Sequence, residues 1–146
     1  MNTNPVRQLP DMPRGLVPEP EADPAILVID TDFRRRDGLA KLLAGKGLAV
    51  LTARNGEEAL ALIGKGDVRL AISSVVMPRM DGLELLRAMR DRHPFIPVIV
   101  IASGDKAIDQ VYLRGADLLG AARSFTWPLA EGAFLECIES LLEQAS

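Results

Sequence analysis

Short apolar runs alternate with helical periods along most of the chain, and the alternation predicts five strand–helix pairs. Ala25–Asp30 is apolar and β-branched until it meets a carboxylate, the pattern of a buried strand. Arg34–Gly45 then carries Leu39, Leu42 and Leu43 at helical spacing, with Gly45 and Gly47 as stops. Leu48–Ala53 reads as a second strand, and Gly56–Ile63 as a helix with Ala59, Leu60 and Ile63 on one side. Val68–Ser74 is a third strand, followed by a helix over Gly82–Arg92 for which Asp81 is a good N-cap. Pro97–Ala102, Lys106–Leu119, Arg123–Thr126 and Leu129–Glu143 complete the series as strand, helix, strand and helix.

Such alternation implies a parallel sheet covered on both faces. Right-handed crossovers narrow the topology to a doubly wound, flavodoxin-like (βα)5 α/β fold with strand order 2-1-3-4-5. In such sheets ligands bind at the carboxyl ends of the strands, near the point where strand order reverses. Asp30, Thr31, Ser74 and Ala102 therefore gather around one crevice.

Residues 1–24 depart from this texture. They hold six prolines, Pro5, Pro10, Pro13, Pro18, Pro20 and Pro24, and few large apolar groups. Such a segment buries too little surface to offset its ordering entropy, so it reads as a disordered tail before a domain over 25–146.

Composition removes several function classes. Across 146 residues, hydrophobic residues make up 48% and charged ones 25%, which suits a globular domain with a real core. No apolar stretch approaches the roughly 20 residues that span a bilayer. The start lacks a basic segment followed by an apolar block, so no secretory signal is expected and the cytoplasm is the default location. A net charge of −3 argues against a nucleic-acid surface, and the basic run Arg34-Arg35-Arg36 reads as a solvated helix start. Cys137 has no second cysteine to bridge to and reads as a packing residue. No G-x-G-x-x-G or G-x-x-x-x-G-K-[ST] loop is present, and no nucleophile–base pair or metal cluster can be assembled, so an enzyme is not expected.

The motifs carry a resemblance. ILVID at the first strand, Arg36, Leu39, Leu43 and Gly47, and Ala53, Gly56, Glu58, Ala59 and Leu60 follow in order. MPRMDGLELLRAMR, PVIVIAS, LLGA and Trp127-Pro128 complete the set. Together they resemble the response-regulator receiver domain, in the manner of the chemotaxis regulator, over nearly all of residues 25–143.

That resemblance implies a pocket with two acidic residues after strand one, an acceptor aspartate after strand three, a hydroxyl residue after strand four and a lysine before the final proline. Three carboxylates would hold Mg²⁺, and metal and lysine would neutralise the transferring phosphoryl group. This chain keeps one of the five. Asp30 matches the first acidic position, Thr31 stands at the second, Ser74 at the acceptor, Ala102 at the switch hydroxyl and Trp127 at the lysine.

One carboxylate with two hydroxyls is a poor Mg²⁺ site, so no metal is expected, and no histidine or lysine lies nearby in the pattern to activate a serine. Asp30 is read as a hydrogen-bond acceptor for loop amides, Asp32 as a helix cap, and the Trp127 indole as filling the emptied crevice. Ser103 falls one residue late for the hydroxyl role. As in the family, the Trp127-Pro128 bond is compatible with a cis peptide.

The expected function is a stand-alone pseudo-receiver without an output domain, acting by protein–protein contact. By resemblance, the face of the fourth helix, fifth strand and fifth helix supplies the docking candidates Ile108, Val111, Tyr112, Phe125 and Leu129. The partner is a histidine kinase, another regulator or a second copy in a homodimer. The alternatives are a phosphorelay receiver using Ser74 or Asp30 as acceptor, and a small-molecule binder on the same fold.

Overall fold

The structure, a computed structural model, describes residues 24–144. Nearly all of the proline-rich segment, residues 1–23, lies outside the described residues, so the expectation of a disordered tail concerns residues not described here. Ten elements follow in strict alternation: β1 (Ala25–Ile29), α1 (Phe33–Ala44), β2 (Val50–Ala53), α2 (Gly56–Ile63), β3 (Val68–Ser74), α3 (Gly82–Arg92), β4 (Val98–Ala102), α4 (Lys106–Leu118), β5 (Arg123–Thr126) and α5 (Glu131–Gln144). The five strands are all parallel, in the order β2-β1-β3-β4-β5. Sequence periodicity predicted the alternation, and with right-handed crossovers this order was the best fit.

The sheet divides the core in two. Leu27, Ile29, Ala71, Val98 and Val100 face α2, α3 and α4, where Ala59, Ile63, Leu85, Leu86, Met89 and Ala116 meet them. Ile26, Val28, Leu70, Ile72, Ile99 and Ile101 face α1 and α5, packing on Leu39, Leu43, Phe134, Cys137 and Ile138. Alternate side chains of one strand feed opposite layers because the pleat has a period of two. Every residue of β1 and β4 is buried, as two-sided coverage requires.

Element ends differ from the pattern by one or two residues, each for a local reason. Phe33 opens α1 because Asp32 caps it, accepting from Arg35 N–H at 3.0 Å. β2 starts at Val50, since Leu48 N–H still bonds back to Leu43 C=O beyond Gly47, whose φ is +82°. β4 starts at Val98 because Pro97 has no N–H for the ladder, although its carbonyl accepts from Ala71.

Gly82 is the tightest point of the scaffold. A Cβ there would stand 2.5 Å from the Ser74 carbonyl oxygen and 2.8 Å from Val75 Cα. The start of α3 can therefore sit against the end of β3 only without a side chain, and Gly82 N–H bonds Val75 C=O at 2.7 Å. This contact positions the loop after Ser74.

Candidate functional site

Strand ends β1, β3 and β4 deliver Asp30, Ser74 and Ala102 to one edge of the sheet, as expected. Asp30 is 2% exposed. Its carboxylate is fully engaged: Arg35 Nε donates to Oδ2 at 2.9 Å, Arg35 Nη2 to Oδ1 at 3.2 Å, and Asp32 N–H to Oδ1 at 2.9 Å. Charge-assisted, two-pronged pairing is the arrangement a guanidinium makes best with a carboxylate. The bond from Asp30 raises the Arg35 pKa above its ordinary value, against the effect of partial burial. Arg36 adds Nη1 to the Asp30 carbonyl at 2.8 Å.

The arginine run is therefore not simply a solvated helix start. Arg34 is exposed, but Arg35 and Arg36 fold back over the β1 end because the first turn of α1 aims them there. Sequence reasoning missed this pair. Its signal was an arginine five residues after a strand-end aspartate, in the first turn of the next helix.

The other positions lack acidic chemistry. Thr31 is exposed and donates its hydroxyl to Arg54 C=O at 3.2 Å. Ser74 is buried, its Oγ reaching only Val76 C=O at 3.5 Å, while Ser73 Oγ donates to Ser74 C=O at 2.9 Å. Ala102 is fully buried among the apolar side chains facing α2–α4.

Trp127 departs from expectation. Its indole packs with the α1–α5 layer and lines a groove with Arg35, Leu39, Leu42 and Leu129. Arg35, not the indole, closes over the Asp30 carboxylate, because a guanidinium satisfies a buried charge that an aromatic face cannot. The Trp127-Pro128 peptide is cis.

The receiver resemblance implies a Mg²⁺ ion at these strand ends. Both Asp30 oxygens already accept hydrogen bonds, Thr31 is turned to Arg54, and among the described residues no three His, Cys, Asp or Glu side chains gather as a metal cluster. A hard ion that gives up its waters reluctantly needs free anionic oxygens. The residues present do not fit it.

Ser103 lies past the end of β4, and its hydroxyl turns to Asp109 Oδ1 at 2.9 Å. Arg79, in the left-handed region with φ 68°, pairs with Glu57 at 3.1 Å, both side chains exposed. Of the docking candidates, Ile108 and Val111 are open to solvent at 45% and 71% exposure. Tyr112, Phe125 and Leu129 are half-buried against the two core layers, Phe125 edge-on to Phe134 at 5.4 Å, so they offer less surface than their apolar character suggested. Leu118, 82% exposed, extends the apolar stripe of α4 and was not singled out from sequence.

The family model of the response regulator receiver domain matches residues 26–123. The chain belongs to the response regulator receiver family. Among curated proteins it is 40% identical over 94 residues to the DNA-binding transcriptional regulator NtrC of Salmonella typhimurium, covering 62% of this chain and 20% of that protein. It is 34% identical over 121 residues to the response regulator MprA of Mycobacterium sp. strain KMS, covering 83% of this chain and 51% of that protein. The chain thus spans about half or less of the length of these relatives. Among solved structures, the signal receiver domain of an HD domain-containing protein from Pseudomonas fluorescens Pf-5 superposes with a TM-score of 0.78 at 27% identity, covering 85% of this chain and 98% of that one. The receiver domain of NtrX from Brucella abortus gives 0.74 at 32% identity, covering 81% and 98%. Among the described residues no helix is long and apolar enough to cross a membrane.

Proposed function

We propose that this receiver is a pseudo-receiver: a signalling module that works by protein–protein contact, without aspartyl phosphorylation and without enzymatic activity of its own. The observation that carries this reading is the Arg35 fork on Asp30 beside a serine at the acceptor position. Phosphoryl transfer to a receiver needs an anionic acceptor and a cation free to meet the incoming phosphoryl oxygens. Here the cation is tethered and spent on the remaining carboxylate, and the acceptor oxygen is a neutral hydroxyl whose hydrogen bond goes to the Val76 carbonyl and not to a base. Ala102 and Trp127 remove the hydroxyl and the ammonium that would read a phosphoryl group.

The partner fitting this reading is a protein of a two-component system, a histidine kinase or another regulator, docking on the open apolar side chains of α4. Incubating the chain with acetyl phosphate and Mg²⁺, followed by intact-mass measurement, tests the proposal. No mass gain is expected. A stable gain of one phosphate at Ser74 or Asp30 would replace it with a phosphorelay role.

A further inference from the structure

Asp109 is an acid on the inward face of a helix. It lies seven residues before the fully buried Ala116 and is itself 5% exposed. An ionisable group so placed must find donors or lose its charge. Asp109 finds three: Oδ1 accepts from Ser103 Oγ at 2.9 Å and Ser103 N–H at 3.2 Å, and Oδ2 accepts from Gly104 N–H at 2.8 Å. Each belongs to the loop between β4 and α4. The start of α4 has its own cap, Asp105, which accepts from Ala107 and Ile108 N–H. Asp109 is thus surplus to helix capping, and these three side-chain hydrogen bonds all go to the loop.

The loop is held from its other side by the β5 end. Trp127 N–H bonds Ala102 C=O at 3.1 Å, and a Cβ on Gly104 would stand 2.8 Å from the Trp127 carbonyl oxygen. With φ at +101°, Gly104 adopts a conformation that glycine takes without strain, at a point where no side chain fits. Ser103 and Gly104 are thus held by a carboxylate on one side and by backbone on the other.

We infer that Asp109 is an internal latch, a positioning residue that holds the β4–α4 loop and the start of α4 in a single state without any bound phosphoryl group. Ser103 supplies the latch hydroxyl, turned toward α4 rather than toward Ser74. The latch keeps Ile108 and Val111 displayed at one place on the surface. The inference rests on the phosphorylation-independent reading, but its readout is loop opening and not phosphate uptake.

Amide hydrogen exchange of the full chain by NMR tests it, comparing the native chain with Asp109→Ala, Asp109→Asn and Ser103→Ala. In Asp109→Ala the amides of Ser103 and Gly104 are expected to exchange at least about tenfold faster, the consequence of losing charge-assisted bonds. Amides of Val28 and Ile72 in the central strands should keep their native rates. Asp109→Asn keeps one acceptor and should fall between, and Ser103→Ala should accelerate Gly104 less than Asp109→Ala does. Unchanged loop rates in Asp109→Ala would overturn the latch. Should that variant lose strand protection as well, Ser103→Ala, which removes a single hydroxyl, decides alone: faster exchange at Gly104 supports the latch and native exchange there overturns it. A phosphate mass gain in a chain whose loop does open on Asp109→Ala would remove the pseudo-receiver reading and leave the latch standing.

Discussion

Arg35 and Asp30 form a two-pronged ion pair five residues apart, Nε to Oδ2 at 2.9 Å and Nη2 to Oδ1 at 3.2 Å, with the carboxylate buried and the guanidinium partly open. The pair holds the Arg35 guanidinium on the strand-end carboxylate. Its energetic weight comes from the asymmetry of burial: Arg35 can return to water, whereas Asp30 cannot.

Arg35→Ala is therefore expected to destabilise the chain by about 1–3 kcal/mol, the cost of leaving a buried charged acceptor short of donors. Adding Asp30→Asn should recover part of that loss, because a neutral amide no longer needs the guanidinium. Urea unfolding of the two single variants and the double variant measures the coupling. Strict additivity would show that the pair contributes nothing.

Restoring an aspartate is not expected to restore acceptance. Ser74→Asp supplies a carboxylate, but Arg35 still holds Asp30 and Thr31 still bonds Arg54. No phosphate should appear on Ser74→Asp after acetyl phosphate and Mg²⁺, read by intact mass. A labelled Ser74→Asp chain would show that the arginine fork yields to the ion.

Two glycines should respond in opposite directions to alanine. Gly82→Ala meets Ser74 and Val75 backbone at 2.5 and 2.8 Å, and is expected to cost about 1–3 kcal/mol despite better helix propensity. Gly38, inside α1, has nothing within 4 Å of its would-be Cβ. Gly38→Ala should stabilise by about 0.5–1 kcal/mol. Thermal unfolding of the two variants beside the native chain gives both signs.

Acid sensitivity should follow the carboxylates at the helix starts. The Arg35 backbone N–H holds the Asp32 carboxyl below its ordinary pKa, and the Arg54 backbone N–H does the same for Glu58. A folded value below the unfolded one contributes stability above the unfolded pKa, which is lost as pH falls through the folded one. The urea midpoint should thus hold steady near neutrality and fall below about pH 4, the unperturbed carboxylate range. Asp32→Asn combined with Glu58→Gln should flatten that fall. An unchanged acid slope in the double variant would assign it to other carboxylates.

How much of this was readable before folding differs by level. The apolar runs at Ala25–Ile29 and Val98–Ala102 are buried on both faces, so their chemistry alone marks them as central strands. Asp32 and Asp81 announced helix starts because capping is a local interaction, settled within three residues. Trp127 was harder. Its size suggested the crevice, but the side to which a strand-end side chain turns depends on what α1 and α5 already fill. Asp109 left a visible trace, an acid at the inward spacing of α4, yet its three donors lie five and six residues upstream in a loop whose shape local rules do not define.

Residue identity by itself determined that Thr31, Ser74, Ala102 and Trp127 stand where the receiver resemblance implies an acid, an acceptor aspartate, a hydroxyl and a lysine. Periodicity by itself determined the alternation of strands and helices and a sheet covered on both faces, and the right-handed crossover rule made the order 2-1-3-4-5 the best fit. Only the tertiary structure decided which groups hold the buried carboxylates. Arg35 turned onto Asp30 and Asp109 onto the β4–α4 loop because burial leaves a charge no solvent to fall back on, and the nearest donor in space takes it.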